Sequence, residues 1–455
     1  TLPVALYSSE RFDSNMSPIV LEDAKDITAL WSFCSSPEFA KAVRRIDQKL
    51  NVTNATLVKV PFDLAHWQRV AAERYPHGLP EPQTNDPTQW LFHGHPAGML
   101  AAGRADTSPF GMPDPTIHPH PSLLCRTPNA ADVLQVATAR LLGYRWPAEL
   151  DGGMRLDAVQ RAWATRSQDL TQFADADGIV CLSPVRGEAS GADRLRELLR
   201  SAFGPAWQAD TERKLLAAAA GPDATPADSL EAWLRDNFFA AHTKRFHDRP
   251  FVWHVWDGRR DGFHALVNYH KLAGPRGEGR RTLELLAFTY LNDWIERQRA
   301  DIKADVEGAD GRLEAALRLQ EELKKILHGE PPYDLFVRWK QLHEQPLGWE
   351  PDIHDGVRLN IRPFVLAADV RGAGAGLLRS KVGVKWTKDR GKEPEQLRPR
   401  AQFPWFWSCD PDNPAHQRDY QAPRTAAFDG VRWNDLHYSR AVKDAARKQR
   451  EAGGG

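Results

Sequence analysis

The densest run of residues able to do chemistry lies between Gly356 and Arg400. It holds eleven basic residues: Arg358, Arg362, Arg371, Arg379, Lys381, Lys385, Lys388, Arg390, Lys392, Arg398 and Arg400. Four acidic residues stand against them, Asp369, Asp389, Glu393 and Glu395, for a local charge of +7. Trp386 sits inside this island, and Trp405, Phe406 and Trp407 follow it. Cations beside aromatics and an amide (Asn360) make a surface that holds phosphates and reads bases. The bland alternative is a solvated basic face.

Four other clusters carry weaker signals. Glu330-Pro331-Pro332-Tyr333 is one residue from a loop in which a short polar side chain and a proline carbonyl accept from an exocyclic amine while an aromatic stacks on a flipped base. Glu is one methylene too long for that task, and a charged helical pattern, Glu321–His328, precedes it. The run is therefore read as a helix stop. Gly372-Ala373-Gly374-Ala375-Gly376 follows the apolar stretch 364–368, as in a strand and glycine loop that cradle a phosphate. What comes next looks extended, not helical, so a loop tip is expected. His93, His95, His118, His120 and Cys125 match no standard zinc spacing, and no metal site is assigned. Asp175-Ala176-Asp177-Gly178 resembles a calcium loop, but the Glu expected at its twelfth position is absent, so a plain turn is predicted. No nucleophile setting and no catalytic carboxylate pair stands out.

These residues sit in a chain of 455 residues, about three domains at roughly 100–200 residues each. Hydrophobic residues make up 42% and charged residues 26%, which excludes a disordered or fibrous class. The 60 Lys and Arg balance the 60 Asp and Glu, which excludes bulk attraction of the whole chain to a polyanion. Any such site must be local. Four distant cysteines (Cys34, Cys125, Cys181, Cys409) fit a reduced, cytoplasmic protein. No apolar run reaches the roughly 18–20 residues of a membrane span, and no signal peptide is evident. The first residue is Thr1, not Met, and the chain is read as beginning inside a longer protein.

Patterning gives a mixed α+β, mainly helical chain. Residues 1–75 read as mixed, with a short strand at Leu2–Tyr7, a helix opened by Ser36-Pro37-Glu38, a β-branched run at Thr56–Val60 and a helix over 63–75. Residues 76–130 are a linker or long loops. Residues 131–250 are helical, with a short strand near 179–182. Residues 251–345 hold the clearest strand signal, a hairpin across Asp257–Gly262, then two helices near 281–303 and 311–328. Residues 346–455 read as irregular, Trp-rich and basic, ending in a basic helix.

Longer stretches point to a family. These are Lys49–Asp63; Asp86–Pro96; the hairpin from Arg249 to Leu272; Gly348-Trp349-Glu350-Pro351-Asp352 with Asp355–Pro363; and Lys385–Lys392. Through them nearly the whole chain resembles the C-terminal half of large adenine-specific DNA methyltransferases of the type IIG restriction–modification kind, including relatives in BREX and DISARM phage-defence islands. The resemblance implies a doubly wound domain, N-terminal to these residues, that binds S-adenosyl-L-methionine and carries an Asn-Pro-Pro-Tyr loop. Residues 1–75 would then close that domain, with a helical spacer and target-recognition region following.

The resemblance implies no catalytic or cofactor-binding residue in this chain, which alone is expected not to methylate DNA. Double-stranded DNA is the expected partner, with the methyltransferase domain in cis or in trans and defence-system proteins as further candidates. Arg358, Arg362, Lys381, Lys385, Lys388, Arg390 and Lys392 are assigned to backbone phosphates, and Asn360 and Trp386 to bases or sugars. Tyr269, His270 and Lys271, at the hairpin exit, form a second set. The alternatives are a separate DNA-specificity subunit and a non-catalytic scaffold of a defence complex.

Overall fold

The computed structural model describes residues 4, 17–49, 52–79, 94–101, 130–153, 158–333, 336–337, 340–351, 357–367, 377–379, 382–383, 399, 401–402, 433–434 and 438–453. The chain is mainly helical with a small antiparallel sheet.

Residues 17–79 form helices α1 (Ile27–Cys34), α2 (Pro37–Ile46) and α3 (Leu64–Arg74). Two of the starts are capped by short polar side chains: Ser36 Oγ accepts from Phe39 N at 3.4 Å and Asp63 Oδ1 from His66 N at 3.0 Å. Phe33, Cys34, Phe39 and Val43 make a small core of their own. No strand occurs among the described residues here. The β-branched run at 56–60 enters a helical turn, Asn54–Leu57, because Thr53 O accepts from both Thr56 N and Leu57 N, and Thr56 Oγ1 donates to Asp47 Oδ2. Leu2–Tyr7 and most of 76–130 lie outside the described residues.

The main core begins at residue 97 and runs to residue 382. Its helices are α4 (Val133–Leu141), α5 (Ala158–Gln168), α6 (Gly191–Phe203), α7 (Thr211–Ala220), α8 (Leu230–Asp236) and α9 (Phe238–Arg245). Around them stands a sheet of β1 (Ile179–Cys181), β2 (Val252–Trp256) and β3 (His264–Asn268), in the order β1-β3-β2, all antiparallel. The hairpin read from sequence is β2–β3. Every residue of both strands is buried, so helices cover the sheet on both faces and the strands read as near-continuous apolar runs rather than alternating ones. Residues 377–379 extend the sheet beside β2, with Trp256 N donating to Leu377 O and Arg379 N to His254 O.

Beyond the hairpin, α10 (Glu278–Leu285) passes through a π-turn at Leu286–Tyr290 into α11 (Leu291–Lys303), which turns back into α12 (Ala309–His328). Cross-contacts from Arg312 Nε to Gln298 Oε1 and from Gln320 Nε2 to Ala287 O fix the two arms as an antiparallel helical hairpin. A two-residue ladder, β4 (Phe336–Val337) with β5 (Trp433–Asn434), ties the late chain back to the end of this hairpin.

Two more helices follow in the chain, α13 (Val357–Ala367) and α14 (Arg440–Gly453). The apolar stretch at 364–367 is helical, not a strand before a glycine loop. Phe364 is fully buried against Trp253 and Trp349, with ring centroids 4.8 and 5.1 Å away, and that packing outweighs the cost of Pro363 inside the helix.

Candidate nucleic-acid interface

Of the residues assigned to DNA, three lie on α13. Arg358 and Arg362 stand one helical turn apart, with Asn360 between them, and Arg362 is half-buried. Phe364 pins the C-terminal half of this helix to the sheet, so the start of the basic island is carried on the core. Lys381, Lys385, Trp386, Lys388, Arg390 and Lys392 lie outside the described residues.

Arg379 of the island is spent internally. The Arg379 guanidinium lies 3.9 Å from the centre of the Trp256 ring, donates from Nε to Arg235 O at 2.9 Å, and pairs with Asp236 at 2.8 Å. Asp236 also receives Arg235 and Arg260, and these donors hold its carboxyl well below the usual range despite its partial burial.

The second set is also tied into the fold. Tyr269 is 6% exposed, its ring stacked on Trp253 at 4.8 Å, so it belongs to the core. His270 is exposed, and its Nδ1 lies 3.0 Å from the Tyr144 hydroxyl, which donates to Phe251 O. Lys271 Nζ donates to Ala176 O. That carbonyl belongs to the 175–178 turn, where Asp175 Oδ1 accepts from the backbone of Asp177, Gly178 and Ile179 at 2.7–3.1 Å. Arg194 takes the other Asp175 oxygen at 2.8 Å. The expected turn is therefore built by its first aspartate. Among the described residues no group of side chains is arranged to hold a metal ion.

The Glu330–Tyr333 run ends α12 as expected. Gly329 takes the left-handed conformation (φ 64°), Glu330 N donates back to Lys325 O at 2.8 Å, and the Tyr333 hydroxyl donates to Glu322 of the same helix. With its ring buried and its hydroxyl bonded, Tyr333 does not fit the role of a base-stacking aromatic in a cofactor-dependent loop. Gly372–Gly376 lies outside the described residues.

Sequence reasoning missed two features. The first is a chain of buried imidazoles on the sheet. His264 Nε2 faces Arg260 O at 3.3 Å and so carries the proton; its Nδ1 then accepts from His254 Nε2 at 2.9 Å. His254 Nδ1 is left as a buried acceptor without a partner among the described residues. Burial keeps both rings neutral, with His264 pushed down to about 4. His242 is equally buried: its Nε2 accepts from Phe251 N and Val252 N, and its Nδ1 meets Gln135 Oε1 at 3.0 Å.

The second is a cavity of about 330 Å3 where α10, α12 and α14 meet, lined by Arg280, His328, Glu350, Arg440, Asp444 and Arg447. Helix α14 is docked there by cations at i, i+4 and i+7. Lys443 Nζ donates to Gly329 O, Arg447 Nη2 to Leu347 O at 2.5 Å, and Arg450 to His343 O and Gln345 O at 2.8 and 2.6 Å. The 3–4 spacing of Arg440, Lys443, Arg447 and Arg450 was the available sequence signal for this face.

No protein-family model matches the chain, and no curated protein matches it. Among the described residues, no helix is long and apolar enough to cross a membrane.

Proposed function

We propose that this chain is the DNA-recognition part of a site-specific N6-adenine DNA methyltransferase, with the S-adenosyl-L-methionine-binding and catalytic domain supplied in cis or in trans. The observation that carries the reading is the +7 island at 356–400 in a chain of zero net charge. Arg379 is withdrawn into the fold, and Arg358, Arg362, Lys381, Lys385, Lys388, Arg390 and Lys392 are the cations assigned to phosphates. Asn360 and the tryptophans stand among or beside them as base or sugar contacts. Arg358 and Arg362 share a helix whose far half is anchored in the core, which gives the island a rigid root. The chain's own contribution is to grip and read the duplex. No step of methyl transfer is assigned to its residues.

The test is the triple variant Lys385→Ala, Lys388→Ala, Arg390→Ala. It should bind duplex DNA more weakly and flatten the dependence of log K on log salt by roughly 2–3, at about 0.9 per lost phosphate contact. Unchanged binding by a folded variant would overturn the assignment.

A second reading, a non-catalytic scaffold in a defence complex, is favoured by the internal use of Arg379, Lys443, Arg447 and Arg450. Basic residues in this chain do serve as ties to carbonyl oxygens. A scaffold would show no salt-dependent duplex binding.

A further inference from the structure

The cavity between α10, α12 and α14 holds more positive charge than its architecture uses. The last carbonyls of α12 attract cations, and two residues meet that need: Arg280 Nη1 donates to Leu327 O at 3.2 Å and Lys443 Nζ to Gly329 O. The two carboxylates in the lining are also committed. Asp444 pairs with Arg447 at 2.6 Å, and Glu350 with Arg450 at 2.8 Å. Arg280 is paired in turn with Glu284 at 3.0 Å.

Arg440 is left over. It is exposed, it sits in the first turn of α14, and no carboxylate among the described residues pairs with it. Its Nη2 meets His328 Nε2 at 3.4 Å, so the guanidinium leans on a neutral imidazole rather than on an anion. A cation at a helix N-terminus opposes the helix dipole and costs stability unless something negative accompanies it. The excess charge is felt by His328. Burial first, then Arg440 and Arg280, hold its imidazole below the ordinary value, against a smaller opposing pull from Glu330.

We infer that this cavity binds a phosphate group, with Arg440 and Arg280 as its cationic walls, His328 as a hydrogen-bonding partner, and a backbone phosphodiester of the bound DNA as its source. The source rests on the DNA reading above; the oxyanion chemistry does not. A cavity of about 330 Å3 has room for a phosphodiester group with its sugar. Guanidinium N–H groups pair with two phosphate oxygens at once, which an imidazole can supplement with a third contact.

The test uses the full chain and a short fluorescein-labelled duplex, titrated over a range of salt, beside calorimetric titration with inorganic phosphate. Arg440→Ala should weaken duplex binding about tenfold and lower the salt slope by about one. Lys448→Ala, an exposed cation further along the same helix, should change neither affinity nor slope beyond a factor of about two. Among the described residues Arg440 meets only His328, and circular dichroism checks that its variant keeps the fold. If the wild type binds duplex and Arg440→Ala keeps the full slope, the cavity assignment is overturned while the DNA reading stands. If the wild type ignores duplex but binds inorganic phosphate in an Arg440-dependent way, the oxyanion site stands and both its DNA source and the DNA reading fall. If neither titrant binds, both assignments are overturned.

Discussion

At the scale of single residues, the chain's polar chemistry is mostly structural, and its consequences are measurable. Arg379 joins Trp256, Arg235 O and Asp236 in one half-buried knot, so Arg379→Ala should cost about 1–3 kcal/mol in urea unfolding. Arg379→Lys should not recover it, because an ammonium cannot stack on the ring and donate to both oxygens. Full recovery by lysine would show that charge alone matters there.

The buried imidazoles set a pH dependence. Burial pushes His242 down to about 3, His264 down to about 4 and His254 well below its ordinary value. Unfolded, all three titrate near 6.5. Their contribution to stability is therefore complete above that value and is lost as pH falls toward the folded values. Asp177 and Asp257 work the other way. Burial pushes each up to about 6, so between roughly pH 4 and 6 the folded chain holds protons the unfolded chain has released. The three imidazoles outnumber the two carboxyls, so through this window the unfolded chain holds more protons and stability falls as pH falls. The urea midpoint should fall from about pH 7 to about pH 5. A midpoint that rose would mean the imidazoles are charged in the fold.

At the scale of elements, the loop at 345–350 is held between the end of α12 and the inner face of α14, and the fit is set by backbone. A Cβ on Gly348, at φ +88°, would stand 2.4 Å from Leu327 O, and the neighbouring Gly329 is nearly as tight against Gly348 itself. Gly348→Ala should destabilise by about 1–3 kcal/mol, from positive φ and from a carbonyl that cannot yield without breaking the helix end. A thermal melt within a degree or so of wild type would show that the loop shifts freely.

The same elements show what was legible in the sequence. The hairpin β2–β3 was plain from β-branched and aromatic runs around a glycine turn, and α12 from its apolar stripe and Gly329 stop. The Asp175 turn was legible because an aspartate followed by Asp177-Gly178 builds its own hydrogen bonds. Helix α13 was not legible. The apolar stretch before Gly372 suggested a strand, and the contacts that decide otherwise come from Trp349 and from Trp253, the latter distant in sequence. Burial of the sheet on both faces was equally hidden, since it depends on which helices return over it. Of the candidate interface, composition revealed the charge island but not that Arg379 is consumed inside it. Nor could composition show the cavity, whose cations come from residues 280, 440 and 447.

At the scale of the whole molecule, zero net charge and a +7 segment coexist because acid elsewhere offsets it. Such a chain should bind a polyanion locally and release it with salt, rather than adhere to it along its length. The measurement that tests the account most directly is the affinity of the full chain for duplex DNA across salt concentration. If about six cations of the island and the cavity meet phosphates, log K should fall against log salt with a slope of roughly −5. A slope near zero, or no binding at low salt, would contradict the account and leave the scaffold reading in its place.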